Sequence, residues 1–178
     1  MVTALGAGAV FAADELPSAD QCPPSNAFEM PDSIRRSTDE QTGITWHMDK
    51  STTERLNEDA FYLYAGKKGC EVWLRLRIQY LSEKPLAITR VQVKADDKAF
   101  ELMEPRFKRD SNGKLTWQWY DEPVSPDHLL MLFTLTASKN ATLRFIGSNR
   151  VEERNLSDAE KAALKTVLGA YHTLGGKL

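Results

Sequence analysis

The run from Cys70 to Leu81 limits what this chain can fold into more than any other feature. Cys70, Val72, Leu74, Leu76, Ile78 and Tyr80 alternate there with Glu71, Trp73, Arg75, Arg77 and Gln79. A period of two fits a strand, whose successive side chains point to opposite faces, and does not fit a helix, which would mix the two sets. The spacing predicts an antiparallel strand with one dry and one wet face. Gly66-Lys67-Lys68-Gly69 precedes it and supplies the glycines that a tight connection needs. Ala60 to Tyr64, with Phe61 and Leu63 alternating against Tyr62 and Tyr64, therefore reads as the other arm of a hairpin.

The same period recurs on both sides. Ile44 to Met48 predicts a short first strand. After the turn Ser82-Glu83-Lys84-Pro85, Leu86 and Ile88 run in one phase and Val91 and Val93 in the other, so a bulge near Thr89 is expected within a strand ending at Lys94. Ala99 to Met103 predicts another short strand. Leu115, Trp117 and Trp119 alternate with Thr116 and Gln118, which assigns the two tryptophans to the core. Leu129 to Thr136 is apolar on both faces and predicts a central strand, with Ala141 to Ile146 following.

About eight short strands point to a mainly β fold, an antiparallel two-sheet β-sandwich. A closed barrel is the alternative. Gly43-Ile44-Thr45-Trp46 is similar to the Gly-x-Trp that opens the first strand of lipocalins, which also carry a late helix. The spacing here is one residue longer and no second lipocalin motif is present. That resemblance implies a lipocalin-like barrel carrying a small molecule in an enclosed cavity.

At Leu156 the period changes. Ser157 followed by Glu160 forms a capping box, and Ala163, Leu164, Val167, Leu168, Tyr171 and Leu174 recur at helical spacing before Gly175-Gly176. An amphipathic helix over about 157–174 must cover its stripe, and the sheet is the nearest apolar surface. Residues 44–178 thus read as a single β-rich domain ending in a helix.

The N-terminal part reads differently. Residues 1–13 carry no charge and end in Val10-Phe11-Ala12-Ala13, which reads as a signal peptide cleaved after Ala12 or Ala13. Its basic leading segment is missing, as if the true start lay upstream. Residues 14–43 contain Pro17, Pro23, Pro24 and Pro31 and predict an extended arm that can line a sheet edge but not enter its centre. Export to the periplasm or medium favours pairing the two cysteines, Cys22 and Cys70. Such a bond would close a loop of roughly 50 residues and add about 4 kcal/mol. The apolar start is too short to cross a bilayer, and no membrane span is expected in the mature chain.

Twenty-three basic against twenty-five acidic residues leave a net charge of −2, without the excess that phosphate contacts to nucleic acid require. The three histidines, His47, His128 and His172, lack metal-ligand spacing, and Gly147-Ser148-Asn149 has no phosphate-loop lysine, so no metal or cofactor is expected. Asp96-Asp97 and Glu152-Glu153 read as solvated turn pairs. Ser125, Asp127 and His128 sit too close in sequence for triad geometry and lack a nucleophile elbow.

These observations favour a non-catalytic, exported binding or assembly module of the bacterial cell envelope. An envelope-directed hydrolase, relying on His128 or His47 with an acid, is the enzymatic rival. The candidate binding residues are Trp73, Arg75 and Arg77 on the outer face of the long strand, extended by Arg90, Gln92 and Lys94 if the bulge puts these in phase. A Trp plate beside guanidinium forks suits an anionic glycan or an acidic envelope protein.

Overall fold

A computed structural model describes residues 29–102 and 105–178. Ten strands form two antiparallel sheets within these residues. The larger has the order β1-β2-β3-β4-β8-β7, from Ile34–Asp39, Ile44–Asp49, Ala60–Lys68, Glu71–Ser82, Thr116–Pro123 and Lys108–Ser111 respectively. The smaller has the order β10-β9-β5-β6, from Val151–Asn155, Ala141–Gly147, Ile88–Ala95 and Lys98–Leu102. Helices α1 (Pro126–Ala137) and α2 (Asp158–Thr173) complete the fold. The mainly β, two-sheet reading with a C-terminal helix holds. The sheets do not close into a barrel, so the lipocalin-like alternative is corrected: the space between the sheets is filled by side chains.

That filling follows from the alternation. Phe61 and Leu63 of β3 and Leu74, Leu76 and Ile78 of β4 point inward, as do Val91 and Val93 of β5 and Leu143 and Phe145 of β9, and all are buried. Tyr80 and Phe145 join the sheets with ring centroids 4.9 Å apart. Helix α2 lies on the inner side of the larger sheet, against β2 and β3, and buries Leu164, Val167 and Leu168. Its capping box is present as expected, with the Ser157 hydroxyl accepting from the Glu160 amide and the Glu160 carboxylate from the Ser157 amide.

The hairpin β3–β4 and the slip between Ile88 and Arg90 also agree with the sequence reading. The stretch containing Pro31 yields β1 at the sheet edge, paired with β2 in a hairpin. Strand β10 has no counterpart in the sequence reading. Residues 1–28, and with them the signal-peptide reading and Cys22, lie outside the described residues.

Leu129 to Thr136 is not a central strand. It belongs to α1, where Ser125 is the N-cap and Pro126 takes the first turn, a position in which its missing N–H costs nothing. The His128 side chain accepts from the Ser125 amide in place of the usual Glu or Gln, so two of the three residues weighed as a triad, Ser125 and His128, form a capping box instead. A helix wedged against α2 and β5 is apolar over most of its circumference, which erases the helical period from its sequence. Leu130 and Phe133 of α1 remain 64% and 44% exposed.

The two helices are tied by one side chain. Lys161 of α2 donates to the carbonyls of Ser138 and Lys139, just past the end of α1, at 3.1 and 2.9 Å. A cation there satisfies orphan carbonyls and complements the negative end of the α1 dipole.

Candidate functional site

Strand register decides which side chains share the outer face of the larger sheet. One row across it reads Ser37, Trp46, Gly66 and Trp73; the next reads Arg35, Met48, Tyr64, Arg75 and Pro123. Tyr62, Arg77 and Asp121 form a third row. Gln79 lies beside Trp119, and Leu81 beside Trp117. All four tryptophans of the chain therefore stand on this face, each half-buried.

Two expectations are corrected here. Trp117 and Trp119 are not core residues: Thr116, Gln118 and Tyr120 of β8 point inward and are buried. The face of β4 carrying Trp73, Arg75, Arg77 and Gln79 is not simply wet. Gln79 is fully buried, because the β2–β3 loop folds over it and its amide donates to the carbonyls of Arg55 and Glu58.

At the centre, Asp121 gathers three donors. Arg75 Nε reaches Asp121 Oδ1 at 2.8 Å, Arg77 Nη1 reaches Oδ2 at 2.7 Å, and the Tyr64 hydroxyl lies 2.7 and 2.9 Å from the two oxygens. Arg75 Nη2 also donates to the Asp121 carbonyl at 2.8 Å. Burial pushes the Asp121 carboxyl up, but the bonds from Tyr64, Arg75 and Arg77 outweigh it and hold the group below its ordinary range. Burial and the neighbouring carboxylate push the Tyr64 phenol far above its ordinary value, so it keeps its proton. The Arg77 guanidinium also stacks over Trp119, 5.7 Å from the ring centroid.

Aromatic rings frame this group. The Trp46 ring meets Tyr64 at 5.3 Å and Trp73, edge-on, at 5.8 Å. Trp46 and Trp73 come from β2 and β4, and meet because the intervening strand offers Gly66, whose missing Cβ would collide with the Trp73 ring. A cleft of about 630 Å³ lies on the same face, with Met48, Tyr62, Tyr64 and Arg77 among its lining, Arg35 of β1 at one side and Leu56 of the β2–β3 loop at its rim.

The structure brings Trp73, Arg75 and Arg77 together, as the alternation implied. It separates Arg90 and Lys94 from them. After β4 the chain crosses to the smaller sheet, and Arg90, Gln92 and Lys94 stand on that sheet's exposed face, where Arg90 and Gln92 contact Glu101. Trp46, Tyr64 and Asp121 were missed from the sequence. Tyr64 was within reach, since hairpin pairing sets it opposite Arg75. Asp121 was not, because β8 joins β4 only after the chain has visited the other sheet.

His47 and His128, on which a hydrolase reading depends, have other surroundings. His47 is buried on the inner side of β2, and burial together with Arg36 holds its imidazole below the ordinary value. His128 caps α1 and stands edge-on to Tyr120. Among the described residues no group of His, Cys, Asp and Glu has the arrangement to hold a metal ion, and no helix is long and apolar enough to cross a membrane. The chain matches no protein-family model, and neither the curated proteins nor the solved structures give a match.

Proposed function

We propose that this protein is a non-catalytic, exported binding module of the cell envelope that engages its partner through the outer face of the six-stranded sheet. One observation carries the reading: all four tryptophans gather on a sheet face that no described helix or strand covers, around a fixed arginine–aspartate group. A sheet face without a partner is ordinarily solvated and polar, and aromatic and Arg side chains are the residue types enriched where proteins bind. An anionic glycan is the favoured partner, since rings stack on the C–H faces of sugars and guanidinium groups receive carboxylates.

Arg75 and Arg77 help hold Asp121, so substituting them would test folding as much as binding. The test replaces Trp73 and Trp117 with Ala and compares retention on immobilised acidic polysaccharide with that of the wild type. Retention should fall at least tenfold while thermal unfolding changes little. A wild-type protein that is not retained, or a stably folded variant retained equally, would sink the reading.

Export and the cysteine pair belong to the same proposal. Cys70 sits in the turn between β3 and β4, and a bond to Cys22 would fasten the N-terminal arm at that end of the sheet. Denatured, unreduced protein from an oxidising compartment should show no reactive thiol. Two equivalents would rule the bond out.

A further inference from the structure

The Arg75–Asp121–Arg77 group has two guanidiniums and one carboxylate, and Tyr64 does not ionise to balance them. It thus holds one unit of positive charge in a half-buried setting, where an unbalanced charge is costly unless an anion approaches it. Arg77 is the member that faces the cleft. Its side chain is 11% exposed, and its Nε is buried without a hydrogen-bond partner among the described residues.

The cleft is preformed. Its rim loop is tied by Thr53 donating to Glu58 at 2.7 Å and by Gln79 donating to the Arg55 carbonyl at 2.7 Å. Its volume falls within the roughly 300–1,000 Å³ usual for small-ligand sites. Two guanidiniums, Arg35 and Arg77, stand on the cleft's face of the sheet; Arg35 pairs with the Glu54 carboxylate at 3.3 Å, while Arg36 belongs to the His47 row on the other face, so the unmatched charge is that of the arginine–aspartate group. Trp46, Tyr62 and Tyr64 supply flat apolar surface beside these charges.

Resting on the sheet-face reading above, we propose that this cleft is the ligand site and that it takes a short acidic oligosaccharide, with a uronate carboxylate directed to Arg77 and the pyranose ring laid against Trp46 and Tyr62. A neutral sugar leaves the arginine charge unmatched, and a plain aliphatic carboxylate lays no ring face against Trp46 and Tyr62. An acidic sugar satisfies both halves of the lining.

The test titrates the full chain with trigalacturonate, its methyl ester, a sulfated oligosaccharide of neutral sugars and dodecanoate, read by tryptophan fluorescence and calorimetry. Trigalacturonate should bind at least tenfold more tightly than each of the other three, with added salt weakening it. Arg35→Gln at the cleft wall and Leu56→Asp at its exposed rim should each weaken trigalacturonate at least fivefold with thermal unfolding little changed. Lys94→Gln on the opposite sheet removes the same charge and should leave binding as it was. Equal binding of the ester, tighter binding of the sulfated oligomer or of dodecanoate, or undiminished binding by both cleft variants overturns the inference. If acidic polysaccharide still retains the protein in a Trp73- and Trp117-dependent way while those cleft variants bind normally, the sheet-face reading survives and only the cleft assignment falls.

Discussion

Asp121 is where a single side chain holds most. It is 16% exposed and is shared by two arginines and a tyrosine hydroxyl, so its worth lies between that of a surface pair and that of a buried one. Asp121→Asn should cost about 2 kcal/mol in urea unfolding, and Tyr64→Phe about 1 kcal/mol. A loss below a few tenths for Asp121→Asn would show that the group is solvated surface. The depressed Asp121 carboxyl contributes stability above its unfolded value of about 3.8, which is lost as pH falls through the lower folded value. The histidines act at milder pH. Burial lowers His128, opposed by Asp127, and burial with Arg36 lowers His47, so the folded state favours the neutral rings. Below about 6.5 the unfolded chain takes up protons first, and stability declines until the folded values are passed. A protonated His128 also cannot accept from the Ser125 amide through Nδ1. His128→Gln keeps an acceptor in the capping box and should lessen the loss measured between pH 7 and pH 5. Parallel losses in wild type and variant would assign the slope to other groups.

Among elements, α2 covers the inner face of β2 and β3. A chain ending at Asn155 would lose the burial of Leu164, Val167 and Leu168, roughly 2 kcal/mol each, and uncover the sheet beneath them, a sum comparable with the whole stability of a typical domain, about 5–15 kcal/mol. It should not unfold cooperatively; a soluble, monomeric, cooperatively folded truncation would contradict this. Lys161→Met removes the cation that serves the carbonyls of Ser138 and Lys139 and should cost about 1–2 kcal/mol in denaturant. These elements differ in how legible they were. The β3–β4 hairpin, the bulge at Thr89 and α2 were readable because period, turn and cap lie within a dozen residues of one another. Helix α1 was not, because Leu130 and Phe133 on its exposed side are as apolar as Met131, Leu132 and Leu135 on its buried side, so Leu129 to Leu135 shows no period. Its start was marked by Ser125-Pro126, but the N3 partner in the first turn is His128, where a capping box normally carries Glu or Gln.

At the scale of the whole molecule, legibility ended where pairing became non-local. Trp117 and Trp119 point outward because Trp119 sits beside Gln79 and Trp117 beside Leu81, a register fixed by a strand some forty residues earlier. Arg90 and Lys94 left the site for the same reason, since nothing within β4 or β5 says that the connection between them changes sheets. That crossing has a further effect. Strand β4 waits for β8 across an excursion through β5, β6 and β7, and β5 waits for β9 across the return to the larger sheet and α1. Each sheet is completed only by chain that comes after part of the other, so neither exists as one continuous stretch of sequence. During synthesis, the six-stranded sheet must keep the edge of β4 open until Thr116–Pro123 has been made, with Trp73, Arg75 and Arg77 already beside it. The ladder edge beside the tryptophan-bearing face thus stays open while about thirty further residues are made, and through that interval it is exposed to mispairing with a neighbouring chain.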